Sequence, residues 1–457
     1  QRTTMPLVLR SGLLFILLTL TSLATAAQAP VSFTLANGLR VIVQEDHRAP
    51  VVLTQVWYRV GSADEPPGLT GLSHALEHMM FKGTAKVPAG EFSRLVAYAG
   101  GDDNAYTNDN FTVYFQKHLA DRLPLALELE ADRMMGLTLD ADEFAREIKV
   151  VMEERRLRTD DNPQALAMER FQALALLTSS ERNPTIGWMR DLEKLTVEDA
   201  RAWYQRWYVP ANATLIVVGD VNLAQVRELV DRYFAPLPSV NAPRRALIRE
   251  LEEPGERSLN MTLPGQVPSL YLSFNLPSLA SARDANDAYA LQLLAGVLDG
   301  GISARLERDV VRTNQAAAIR SGYDLLARGD TQLMITAVPA AGQSLTALRE
   351  AILKSVYALR DDTVSADELA KVLANVRAQA VYARDELDDR AEKLGRLDAH
   401  GLPINWEDEL PNKLQAITPK MIRDVAKRYL QPERLATLYL HTPSSSASIT
   451  EAGVSPR

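Results

Sequence analysis

Hydrophobic and polar positions follow two periods along this chain. From Phe33 to Asp46, FTLANGLRVIVQED sets an Asn37-Gly38 turn between apolar runs, which predicts a β-hairpin. Val51 to Ser62 (VVLTQVWYRVGS) alternates and predicts another strand, as does Phe111 to Gln116 (FTVYFQ). From Asp121 to about Leu157 the apolar positions shift to helical spacing. ATLIVVGD, Ala213 to Asp220, is a nearly unbroken apolar run, the mark of a buried strand. The charge-rich stretch from Ala383 to Arg396 reads as a solvated helix face. Strands and helices mix without regular βαβ alternation, so the expected fold class is α+β rather than a doubly wound sheet.

The pattern also repeats. Proline and charge cluster between Phe234 and Arg257, which places a linker at 236–257. On either side of it, LTVEDARAWYQRWYVP (Leu195 to Pro210) matches ITPKMIRDVAKRYLQP (Ile417 to Pro432) at a constant offset of 222 residues. In both, a threonine leads a helix that runs through an aromatic residue and a proline into a strand, ATLIVVGD and then ATLYLHTP. Thr196 and Thr418 are the expected N-caps. Duplication explains the match: two similar α+β domains, 31–235 and 258–445, each a mostly antiparallel sheet packed with helices. Residues 446–457 are expected to form a disordered tail.

Composition narrows the function. The chain has 457 residues, is 46% hydrophobic and contains no cysteine, so its stability must come from packed cores rather than disulfides. A net charge of −8 argues against nucleic-acid binding, which needs a basic surface. Near the start, Arg10 precedes the apolar run LLFILLTL (Leu13 to Leu20) and then Ala24-Thr25-Ala26. This is the pattern of a secretory signal spanning residues 1–26, cleaved after Ala26, and too short for an ordinary membrane span. An exported, periplasmic protein without a permanent membrane anchor is expected; an uncleaved anchor is the alternative.

The candidate chemistry lies in GLSHALEHMMFKGT. His74 and His78 are four residues apart, so on a helix they project from one face and can bind one metal ion. Glu77 lies beside that face and can serve as a general base. Histidines as ligands and a nearby carboxylate as base is the division of labour in zinc hydrolases. The order His-x-x-Glu-His is an inverted zinc-peptidase motif. A third ligand has to come from elsewhere in the chain.

Four stretches together resemble the pitrilysin/insulinase family of zinc peptidases, in the branch of subunits of about 50 kDa that includes the mitochondrial processing peptidase. They are GLSHALEHMMFKGT, GGDDNAYTNDNFTVYF (Gly100 to Phe115), VVMEERRLRTDDNP (Val150 to Pro163) and GGISARL (Gly300 to Leu306). The resemblance implies a duplicated α+β fold enclosing a chamber, and one Zn²⁺ per chain held by His74, His78 and a glutamate about 76 residues after the second histidine. That glutamate is Glu154, with its neighbour Glu153 the competing choice. The resemblance also assigns Glu77 as the base acting on a zinc-activated water, and Glu147, seven residues before Glu154, as an assisting catalytic group. Asn104 and Ala105, in NAYT, are implied to bind the substrate as an added strand.

One departure bears on partners. Active single-chain relatives carry an arginine–tyrosine pair in the second half that holds substrate. Arg312 can stand for the arginine, but Ile319 occupies the expected tyrosine position, and Tyr323 lies 11 residues after Arg312. The expectation is a zinc endopeptidase acting on peptides, and the metal-bearing subunit of a dimer formed with a related subunit or with itself. The alternative is a non-catalytic scaffold or core-type subunit of the same fold.

Overall fold

The protein is described here from a computed structural model, covering residues 28–264, 267–382 and 386–443. The expected signal segment and tail lie outside the described residues. Two sheets organise the chain. The first contains β1 (Val31–Thr34), β2 (Arg40–Glu45), β3 (Val51–Tyr58), β4 (Asp102–Thr107), β5 (Thr112–Leu119) and β6 (Ala213–Gly219), in the order β1-β2-β6-β3-β5-β4. The second contains β7 (Arg257–Thr262), β8 (Ser269–Leu276), β9 (Ala316–Tyr323), β10 (Thr331–Pro339) and β11 (Leu435–His441), in the order β7-β11-β8-β10-β9. Each sheet is antiparallel except for one parallel pair, β2–β6 in the first and β7–β11 in the second. β4 and β9 are therefore edge strands.

Helices of the first half are α1 (Leu72–Met79), α2 (Glu91–Tyr98), α3 (Leu123–Met135), α4 (Ala141–Arg155), α5 (Pro163–Ala175), α6 (Met189–Leu192), α7 (Val197–Trp207) and α8 (Leu223–Tyr233). Those of the second are α9 (Ala285–Leu298), α10 (Leu345–Asp361), α11 (Ala366–Tyr382), α12 (Leu387–Ala399), α13 (Trp406–Gln415) and α14 (Pro419–Tyr429). No helix among the described residues is long and apolar enough to cross a membrane.

Local chemistry explains where the elements stop. The β1–β2 hairpin turns at Gly38, whose φ of +92° suits glycine, and a Cβ there would stand 2.7 Å from the Ala211 Cβ. The helical tract from Asp121 to Leu157 is two helices. Leu139, at φ +49°, breaks it, and the Asp140 carboxylate restarts it by accepting from the Asp142 and Glu143 N–H groups. The repeat also appears in the structure. α7 and α14 start one residue after Thr196 and Thr418, whose hydroxyls accept from Asp199 N and Met421 N at 3.2 and 3.3 Å, and each helix leads into a buried strand, β6 or β11.

The two halves exchange a helix. α5, from the first half, buries Ala167, Phe171 and Ala175 against Tyr271, Ala436, Leu438 and Leu440 of the second sheet. α12, from the second half, buries Ala391 and Leu394 against Ile42, Leu53, Trp57, Ile216 and Val218 of the first. This corrects the expectation of a solvated face at 383–396 for its residues 386–396; residues 383–385 lie outside the described residues. Arg390 is buried and hydrogen-bonds Asp46, and Asp398 pairs with Arg40 at 2.5 Å while accepting from the Thr214 hydroxyl at the same distance. The charges on α12 face charges on the first sheet. The helix comes this close because residue 395 is glycine: a Cβ there would fall 2.0 Å from the Trp57 ring.

Candidate active site

α1 begins at Gly71, whose φ is +87° and where a Cβ would lie 2.7 Å from the Ile186 carbonyl oxygen. The Glu65 carboxylate accepts from the Gly71 and Ser73 N–H groups at 2.8 and 2.6 Å, which caps the helix start. Leu72, Ala75, Leu76 and Met79 are buried in the core of the first half, which leaves His74, Glu77 and His78 along the opposite, half-buried side. α4 packs against α1 and carries Glu147 and Glu154 toward the histidines, two helical turns apart.

Glu154 Oε2 lies 3.4 Å from His78 Nε2 and 3.8 Å from His74 Nε2. One ligand atom from each of these three residues falls within 4.8 Å of the others. A tetrahedral ion with bonds of about 2.1 Å holds its ligand atoms roughly 3.4 Å apart, so the two Glu154–histidine distances and the His/His/Glu donor set suit zinc. Glu153 turns away: its side chain is 65% exposed and pairs with Arg156.

Surrounding groups set the roles of the ligands. His78 Nδ1 is 3.0 Å from Glu147 Oε1, which orients the ring, and Glu147 Oε2 is 2.6 Å from Lys82 Nζ. The hydrogen bond with His78, joined by that with Lys82, holds the Glu147 carboxyl below its ordinary range despite burial. Burial pushes the His74 ring down to about 3, helped by His78 and Arg158, so His74 is neutral and able to ligate. For His78 burial acts in the same downward direction, but the Glu147 hydrogen bond and the charges of Glu77, Glu154 and Glu147 raise its pKa overall. Arg158 binds Glu154 Oε1 at 2.6 Å, opposite the oxygen that faces the histidines.

Burial raises the Glu77 pKa, which makes it a stronger base, and a hydrogen bond of 2.5 Å from Thr107 Oγ1 to Glu77 Oε2 opposes the shift. Thr107 ends β4, which pairs with β5 on one side and has no strand on the other among the described residues. Asn104 and Ala105 lie on this edge strand. Asn104 is exposed, with its side-chain oxygen accepting from Ala105 N, and Ala105 packs against the core of the first half.

Arg312 follows a π-helical turn (Glu307–Val311); its guanidinium donates to the Ile302 carbonyl and lies 3.7 Å from Glu307. None of its described contacts reaches α1 or α4. Ile319 is buried on β9, and the Tyr323 hydroxyl donates to the Pro277 carbonyl at 2.7 Å. That bond commits the Tyr323 hydroxyl within its own half. Sequence reasoning missed Lys82, Thr107 and Arg158. Lys82 had a signal, since it sits four residues after His78 in the quoted motif. Thr107 stands in NAYT, but nothing in the sequence linked its hydroxyl to Glu77.

Comparison with known proteins follows the same lines. Residues 40–187 match the family described as insulinase (peptidase family M16), and residues 194–376 match the peptidase M16 inactive domain. The zinc protease PqqE of Helicobacter pylori is 30% identical over 417 residues, which cover 90% of this chain and 92% of that one. The crystal structure of a protease from Helicobacter pylori aligns with a TM-score of 0.82 and 28% identity, over 91% of this chain and all of that one. The first half of the periplasmic protease PqqL from Escherichia coli shares the fold, with a TM-score of 0.76 and 21% identity, over 91% of this chain and 93% of that one. A zinc-protease relative matched almost end to end, together with both domain matches, settles the assignment: this chain belongs to peptidase family M16, the insulinase family.

Proposed function

We propose that the chain is a zinc-dependent endopeptidase that hydrolyses peptides or unfolded segments in an exported, periplasmic compartment. One observation carries the reading: the His74, His78 and Glu154 ligand atoms converge beside Glu77, and Glu77 is hydrogen-bonded to Thr107 of an edge strand that has no second neighbour among the described residues. The export part rests on the signal-like start of the sequence.

A zinc ion in this group supplies Lewis acidity toward a water and toward the scissile carbonyl. The protein does the rest. His74 and His78 present their Nε2 atoms, Glu147 fixes the His78 ring, and Arg158 steadies Glu154. Thr107 occupies Glu77 Oε2, so Oε1 takes the proton from the attacking water and later returns it to the leaving amine. The N–H and C=O groups along the outer edge of β4 hold an extended peptide as an added strand, whatever its side chains.

The test is Glu77→Gln, which keeps the shape and loses the basicity. Peptide turnover is expected to fall by about 10²–10⁴, with zinc content by elemental analysis unchanged. A zinc-free variant would make Glu77 a ligand and overturn the assignment.

A further inference from the structure

The edge strand at the site is held from both faces. Tyr106 and Thr107 are neighbours on β4 and point to opposite sides of the sheet. On one side Thr107 donates to the base, Glu77. On the other, the Tyr106 hydroxyl donates to Glu392 Oε2 at 2.7 Å, and Glu392 belongs to α12, the helix contributed by the second half. One turn earlier on α12, Asp388 pairs at 2.9 Å with Lys117 of β5, the partner strand of β4. The Tyr106 ring stands edge-on to Trp57 and Phe111, each with centroids 6.4 Å away, and Trp57 is the ring that Gly395 of α12 lets in. Among the described residues β4 has a ladder on one side only, so these side chains, with the hydrogen bond from Ser93 of α2 to Asp103, add to its restraint.

The geometry points to Tyr106 and Glu392 as positioning residues: through them the second half holds β4 so that a peptide added along its free edge offers one particular bond to Glu77 and the metal ligands. This rests on the peptidase reading of the site. A strand-added peptide is bound by backbone hydrogen bonds to β4, so where β4 sits decides how well the peptide binds and which bond is cut. By this route the half without the metal ligands acts on substrate through β4.

The experiment uses the full-length, zinc-loaded protein and unstructured fluorogenic peptides of two lengths, roughly ten residues and roughly four, since each residue of strand extends about 3.3 Å along the edge. Tyr106→Phe removes the hydroxyl alone, Glu392→Ala removes the acceptor, and Glu392→Gln keeps an acceptor oxygen. For the longer peptide, Tyr106→Phe and Glu392→Ala are expected to raise KM about 3–10-fold, the loss of one hydrogen bond. Their kcat should hold within about two-fold by the same measure, with cleavage spreading to neighbouring bonds. The short peptide, Glu392→Gln, zinc content and melting temperature should all stay near wild type, and the double variant should be no worse than either single. An active wild type whose variants keep KM and cleavage position sinks the inference alone. So does a joint fall of kcat and melting temperature in the Tyr106→Phe and Glu392→Ala variants, which marks a merely structural contact. A zinc-loaded wild type that cuts neither peptide sinks the peptidase reading, and the inference with it.

Discussion

His78 spends one ring nitrogen on Glu147 and offers the other toward Glu154, so its value as a ligand depends on a residue that is not one. Partners of this kind typically change metal affinity 10–100-fold, and Glu147→Gln is expected to weaken zinc binding by about that factor in a chelator competition assay. Glu154→Ala should lose most of the zinc and Glu153→Ala none of it; a zinc-poor Glu153→Ala would move the third ligand by one residue. Spacing alone left that pair open. The structure separates them by direction, with Glu153 out toward Arg156 and Glu154 in toward both histidines. His74, Glu77 and His78 were legible because their chemistry is local, within five residues of one helix. Thr107 was not, because a hydroxyl on a strand carries no sign of the carboxylate it will meet 30 positions away.

Among elements, α12 was misread for a physical reason. Its acidic and basic residues lie on both faces, which in one sequence looks like solvation. Arg390 is buried only because Asp46, 344 residues earlier, meets it. Helices defined by their own signals were legible instead: Thr196 and Thr418 announced α7 and α14. Thr418→Ala should cost about 1 kcal/mol in urea unfolding. Thr196→Ala should cost at least as much, since Asp199 returns a bond to the Thr196 N–H and completes a capping box. Gly395→Ala tests the fit of α12. By helix propensity alone alanine would stabilise the helix by up to about 1 kcal/mol. With the Trp57 ring 2.0 Å from the new Cβ, the expected result is a loss of about 1–3 kcal/mol, read from the unfolding midpoint.

Across the whole molecule, each sheet wears a helix of the other half, and acid should loosen that arrangement. The hydrogen bond from Arg48, then that from Arg390, holds the Asp46 carboxyl well below its ordinary value of 3.8 despite burial. The folded state keeps it ionised where the unfolded chain would take up a proton, so its contribution is complete above about pH 3.8 and drains away as pH falls toward the folded value. Asp46→Asn should flatten the acid limb of a melting-temperature profile. At neutral pH it should cost about 3–5 kcal/mol, because Arg390 is left buried beside a neutral partner. The expectation of a dimer is tested by assaying the purified chain alone and after mixing with a related subunit: activity that needs mixing supports a division of labour, and full activity from a stable monomer ends it. The exchanged helices also set a timetable for synthesis. The surface around Trp57 is made early, but the helix that covers it emerges more than 300 residues later, as the separation between Asp46 and Arg390 records. Until then the first sheet waits with an apolar face uncovered, open to chaperones and to its own kind. Long-range closure of this sort folds slowly. Cutting the gene between its two similar halves would therefore yield two proteins that each lack a piece of their own core, and only their co-expression would restore either one.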